Sequence, residues 1–188
     1  MVRLDKLTSG IVLVAKTAAI HAALQRTFRD KDYLAVVYGR VKTASGSIDL
    51  RLARDHGDRR RVVASETVGA PSLTRFERLA VVPAPRAGLA LLRCQLETGR
   101  THQIRVHLAA RGWPIVGDPT YGEPRWSEVT DAALKAALQA FQRQALHAWR
   151  AAFTHPVTGE RVSIEAPVPD DLHALLTASG LLSGLRSA

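Results

Sequence analysis

An α+β fold, with a mixed, largely antiparallel sheet and flanking helices and loops, is predicted by three features of this sequence. Short β-branched or apolar runs, such as IVLVA (11–15) and YLAVVYG (33–39), alternate with stretches whose apolar residues recur at helical spacing. Two strand readings, LTRFERLAVV and GLALLRCQLET, flank one Pro/Gly-rich break, PAPRAG, which predicts a hairpin and therefore antiparallel pairing. The order is strand-helix-strand, then hairpins with helices between them, which is an α+β arrangement.

The elements follow in order. IVLVA is short, β-branched and opened by Gly10, so it reads as a buried strand. Thr17 is placed to cap a helix on which Ile20, Leu24 and Phe28 recur four residues apart, and RDKD ends it. YLAVVYG reads as a second buried strand stopped by Gly39, and RVKTASGSIDL as a hairpin turning at SGS. RDHGDRRR (54–61) is a polar loop with a basic end. In TGRTHQIRVHLAARG (98–112), Thr101 is a capping residue, Ile104 and Leu108 lie four apart, and Gly112 can close the helix in a left-handed conformation. PIVGDPTYGEPRW is a turn-rich loop, and DAALKAALQAFQRQAL (131–146) fits a second helix. Two short strands are expected around HPVTGE. The final stretch is expected to be a short helix, frayed over 180–188.

The 188 residues suffice for one domain with a real core, taken as 1–188. No apolar stretch approaches the roughly 20 residues of a membrane span, and the N-terminus has no targeting pattern. Cys94 is the one cysteine and lies in the apolar run LALLRCQL. A core thiol in a reducing, cytoplasmic setting is the expectation. With 26 Lys+Arg against 17 Asp+Glu, the formal charge is +9 and the sequence pI about 10.6. Such a surplus favours a polyanionic partner, of which RNA or DNA is the commonest.

The usual cofactor chemistries find no support. His102 and His107 are five apart, which does not put them on one helix face, and a single cysteine makes no cluster. Neither a phosphate-binding glycine motif nor a serine-hydrolase elbow occurs. Polar groups concentrate instead in Arg3-Leu4-Asp5 with Thr8-Ser9-Gly10, and in Thr98-Gly99-Arg100-Thr101-His102-Gln103 with Arg105 and His107. The second cluster opens a helix, where free N–H groups and the helix dipole favour an anion, although a solvated face would have the same pattern.

These residues resemble a known family. RLDKLTSGIVLVAK is similar to the catalytic motif of the RluA family of pseudouridine synthases, which modify ribosomal and transfer RNA. DKDYLAVVYGRV resembles its second motif, TGRTHQIRVHLAARGWPIVGDPTYG its longest signature, and LHAWRAAFTHPVTGERVSIEAPVP its C-terminal element. The four stand in the family's order. The resemblance implies isomerisation of uridine in rRNA or tRNA without a cofactor, by a monomer with RNA as its partner. It implies that Asp5 is the catalytic aspartate, as nucleophile or as base at the sugar, paired with Arg105. Tyr33 would stack on the target base. Arg3, Arg100 and His102 would hold the flanking RNA backbone, with Leu146 packed beside the site. The run Arg59-Arg60-Arg61 is expected to be a solvated basic loop.

Two departures accompany the match. Val2 stands where the family's pattern has His, and the part of the catalytic domain that members carry ahead of the motif does not precede it here. A catalytic domain missing its first strands, with an exposed sheet edge, is therefore expected. A weakly active or inactive RNA-binding remnant is the competing reading, and joint retention of Asp5, Tyr33 and Arg105 argues against it. A DNA-binding regulator fits the charge and none of the motifs.

Overall fold

The computed structural model describes residues 4–28, 30–58, 60–83, 88–123 and 125–186. Among them lies a seven-stranded sheet ordered β1(Ser9–Gly10)-β8(Leu146–Thr154)-β2(Asp30–Tyr38)-β7(Leu89–Leu96)-β6(Leu73–Val82)-β3(Ser45–Asp49), with β9(Arg161–Glu165) also paired to β8. Only β1 and β8 run parallel; every other pair is antiparallel. A separate two-stranded ribbon joins β4(Arg51–Arg54) to β5(Val62–Ser65). The helices are α1(Ala18–Thr27), α2(Gln103–Ala110), α3(Ala132–Ala140), α4(Asp170–Ala178) and α5(Ser183–Arg186). The predicted mixed, largely antiparallel α+β architecture is therefore observed. None of the described helices is long and apolar enough to cross a membrane.

The core explains why the central strands read as unbroken apolar runs. Tyr33 to Tyr38 of β2 and Leu89 to Leu92 of β7 are all buried, so no polar alternation is required of them. They share one cluster with Ile104 and Leu108 of α2, Leu134 and Leu138 of α3, and Leu172, Leu175 and Leu176 of α4. A smaller cluster joins Leu24 and Phe28 to Ala151 and Phe153 of β8, the two Phe rings meeting edge to face at 5.6 Å. Cys94 is fully buried, and burial, aided by the charge of Asp32, pushes its thiol up to about 12.

Several local expectations are corrected. Of SGIVLVA only Ser9–Gly10 is strand, because β9 occupies the same side of β8 from Arg150 onward. Ile11, Leu13 and Ala15 pack inward while Val12 and Val14 face solvent, so 11–15 is an extended segment covered on one face only. The SGS sequence makes no turn. It lies in β3 with Gly46 opposite Phe76, where the missing side chain admits the ring. The helix expected over 131–146 stops at Ala140, after Asp131 has capped it by accepting from the Leu134 N–H. Backbone bonds of Ala145 to Val116 and Val36 draw the chain into the sheet, overriding local propensity. The tail expected to fray from residue 180 is ordered over 181–185: Leu181 is fully buried and Gly184 lies against Leu79 and Ala80 of β6.

Gly10 makes the β1–β8 pairing possible. Its φ is +106°, and a Cβ there would lie 2.1 Å from the carbonyl oxygen of Ala148. Gly10→Ala should therefore cost about 2–4 kcal/mol, from positive φ and overpacking together. Urea unfolding checks this, and a change within the usual surface-substitution range would remove the constraint.

Candidate active site

The site is assembled where residues 4–10 meet the entry to α2. Residues 4–10 are held on one side by β8 and its approach. The Ser9 hydroxyl lies 2.9 Å from His147 Nδ1 and accepts a bond from Arg143 Nη1 at 3.2 Å. Arg143 is itself held by a two-bonded contact to Asp171 of α4. Gln144 donates to the Thr8 hydroxyl at 3.0 Å, and the Thr8 N–H closes a turn onto the Asp5 carbonyl. This places the Asp5 side chain over the start of α2.

That start is organised by Gln103 rather than by the expected Thr101 cap. Gln103 is buried, and its Oε1 accepts from the Thr98 hydroxyl and the Arg100 N–H while its Nε2 donates to Leu73 and Thr74 of β6. His107, one turn on, is fixed between Thr74 Oγ1 and the Leu50 carbonyl. His102 takes the capping position with φ 56° and ψ 18°, the sole non-glycine residue at positive φ among those described. The helix then closes through Gly112 at φ +75°, as expected. The Arg100 N–H that an anion would use is thus already bonded within the protein.

Arg105 is the centre. Its Nε donates to Asp118 Oδ2 at 2.7 Å, its Nη2 to Asp118 Oδ1 at 2.8 Å, and its Nη1 to Asp5 Oδ2 at 3.1 Å. The Asp118 side chain is fully buried, that of Arg105 is 5% exposed and that of Asp5 23% exposed. An opposite-charge pair at such range attracts by about 4 kcal/mol gross at an effective dielectric near 20, before desolvation is subtracted. Burial works against the charge of Arg105, but its bonds to Asp118 and Asp5 outweigh that and raise its pKa. Burial likewise works against charge on Asp118, and the guanidinium with the N–H groups of Tyr121 and Thr120 overrides it, holding the carboxyl below the usual range. Two carboxylates thus share one cation, leaving the cluster with a formal charge of −1 whose accessible end is Asp5. Asp5 Oδ1 has no hydrogen-bond partner among the described residues.

Asp5 opens into a cleft of about 820 Å³ whose lining includes Lys6, Lys31, Tyr33, Arg100, Thr101 and His102. The sheet register slips between Asp32 and Tyr33 where β2 meets β8, and a bulge of this kind re-aims the side chain beside it. Tyr33 is 6% exposed, and burial, followed by the charge of Asp5, pushes its hydroxyl up to about 12. At neutral pH it is therefore a neutral phenol. Leu13, Leu24 and Phe28 give the cleft apolar walls.

Of the residues singled out in the sequence, Asp5, Tyr33, Arg105, Arg100 and His102 meet at this cleft or at the ion pair beneath it. Arg3 and Arg59 lie outside the described residues. Leu146 is buried in the core at the start of β8 and is not a lining residue. Arg60 pairs with Asp58 on the exposed loop, whereas Arg61 lies over the Tyr121 ring at 5.6 Å. The sequence reading missed Asp118 and Tyr121, and it named Gln103 in the polar cluster without its organising role. Asp118 and Tyr121 stand in GDPTYG, where composition signals only a turn. Their signal was the buried guanidinium itself, which needs a second carboxylate.

Residues 1–110 match the family model described as RNA pseudouridylate synthase. The chain is 41% identical over 191 residues to the ribosomal large subunit pseudouridine synthase D of Neisseria meningitidis, covering 99% of this chain and 49% of that protein. The protein of the same name from Xanthomonas campestris is 42% identical over 181 residues, covering 94% and 53%. Among solved structures, human RNA pseudouridylate synthase domain containing 1 superposes with a TM-score of 0.71 at 27% identity, covering 99% of this chain and 79% of that one. The chain spans about half the length of the curated relatives it matches.

The buried pair makes a stability prediction. Asp118→Asn should destabilise the protein by roughly 3 kcal/mol at neutral pH, since it leaves Arg105 short of a partner. Because the folded pKa of Asp118 is depressed, its contribution is fully present above the ordinary carboxylate value, about 3.9, and is lost as pH falls below it. Denaturant midpoints of the two proteins should therefore draw together as pH falls from the ordinary carboxylate value through the depressed one; a difference independent of pH would refute the assignment.

Proposed function

The chain belongs to the RNA pseudouridylate synthase family, and on that premise we propose that it isomerises uridine to pseudouridine in RNA, with Asp5 acting at the sugar. The supporting observation is the division of the Arg105 guanidinium: two N–H bonds fall on Asp118 and one on Asp5 Oδ2. This fixes Asp5 at the mouth of the cleft with its second oxygen turned loose toward a substrate.

In the reaction the C1′–N1 bond breaks, the base turns, and C1′ bonds to C5. C5 gives up its proton and N1 gains one, so the composition is unchanged and no oxidant, reductant or co-substrate is consumed. The uridine is flipped out of its stack into the cleft. The ring of Tyr33 lies under the base, and its raised pKa makes it a neutral hydroxyl beside the turning ring at neutral pH. The Asp5 carboxylate faces the sugar carbon from the accessible end of the cluster, and the Arg105 cation offsets the cost of holding its charge there. Lys6, Lys31 and Arg100 give the rim a positive charge for the flanking phosphates, which position the strand rather than specify it. Relatives named for the large ribosomal subunit make large-subunit rRNA the substrate to try first, with tRNA second.

Incubation with rRNA and tRNA, followed by chemical mapping of pseudouridine, is the test. The wild-type chain should form product at discrete uridines. Asp5→Asn should lower the rate at least a thousandfold, about 4 kcal/mol of barrier, and change RNA affinity less than threefold. An active Asp5→Asn protein would remove Asp5 from the chemistry. RNA binding without product by the wild type would instead support a binding remnant.

A further inference from the structure

Tyr121 stands between three parts of the molecule and belongs to none of the chemistry described so far. Its ring faces the Arg105 guanidinium at 5.0 Å, with Arg61 at 5.6 Å. Its oxygen accepts the Val62 N–H of the β4–β5 ribbon at 2.8 Å and lies 2.9 Å from His102 Nδ1. The His102 ring meets the tyrosine ring edge to face at 5.6 Å.

The proton count on these atoms is decisive. The tyrosine oxygen already accepts from Val62, and among the described residues its own proton has one acceptor within reach, His102 Nδ1. Where the hydroxyl donates to Nδ1, that nitrogen accepts and carries no proton. The imidazole proton is left on Nε2. His102 lines the cleft, and its Nε2 has no partner among the described residues. We propose that Tyr121 is a positioning residue that holds His102 as a neutral imidazole protonated on Nε2, so that this N–H meets a carbonyl oxygen of the base in the cleft. The proposal rests on the function proposed above.

Two further features agree. Burial lowers the pKa of His102, and Arg105 lowers it further, while Asp5 and Asp118 oppose them. These groups, with Tyr121 itself, are the charged and titratable ones that act on the ring. The left-handed backbone of His102 is an unfavourable conformation for a residue with a side chain, and here it points the ring at Tyr121. A neutral donor suits a neutral acceptor, whereas the lysines and Arg100 at the rim already suit phosphate. The bond from Val62 also means that the ribbon must be docked for the tyrosine oxygen to be oriented, so ribbon and cleft are ordered together.

Nitrogen-15 NMR of the histidine rings in the full chain tests this without turnover. The wild type should show His102 in the Nε2–H form at neutral pH. In Tyr121→Phe, which keeps the ring against Arg105, that bias should disappear and the protonation of His102 should move to higher pH. With RNA substrate, Tyr121→Phe should raise KM about tenfold and lower kcat by less. A wild-type His102 protonated on Nδ1 would overturn the proposal, as would a variant whose kcat falls at unchanged KM, since that would place Tyr121 behind Arg105 and Asp5 instead. The tautomer measurement stands even if the wild type forms no pseudouridine, so failure of the function and failure of this arrangement are separable.

Discussion

One guanidinium between two carboxylates is the constraint on which the rest of the molecule depends. Arg105 is almost fully buried, and an unpaired cation there would be untenable. Asp118 supplies a bidentate partner from 13 residues downstream, in the geometry to which a guanidinium is suited. That pair is electrically complete without Asp5. Asp5, 100 residues upstream, therefore receives one directional bond from a cation already neutralised elsewhere. It is aimed by that bond while its other oxygen stays open to the cleft.

The fold holds the two sides of this contact by separate means. On the Arg105 side, Gln103 and His107 fasten α2 to Thr74 and its neighbours, so the helix cannot rotate its guanidinium away. On the Asp5 side, β1 is only two residues long, and its parallel pairing with β8 is reinforced by Ser9, Thr8, Arg143 and Gln144. The chain of bonds runs on to Asp171 of α4, so a helix remote from the cleft helps to anchor the segment that carries Asp5. Asp5 sits on a loop stiffened by side-chain bonds rather than by regular structure, whereas Arg105 and Tyr33 are carried by α2 and β2.

Among the described residues the β4–β5 ribbon is the strand pair outside the main sheet, and it reaches the site through Tyr121. Arg61, read in the sequence as part of a solvated loop, lies against that ring instead.

By itself the sequence determined what is local or periodic. β2, β6 and β7 were legible because runs covered on both faces, or broken by one Pro/Gly turn, admit few other readings, and α1 because Thr17 and a four-residue apolar spacing announce it. It also marked Asp5, Tyr33 and Arg105, through stretches that resemble the motifs of a known family. Tertiary structure alone decided where α3 stops, since nothing between Ala140 and Leu146 breaks a helix until the sheet claims the chain. It decided that Gly46 makes room for a ring and not a turn, and that Leu181 is core and not tail. Above all it decided the second partner of Arg105, because the family resemblance pairs the guanidinium with Asp5 but only a folded chain brings Asp118 within hydrogen-bond distance and removes the water between them.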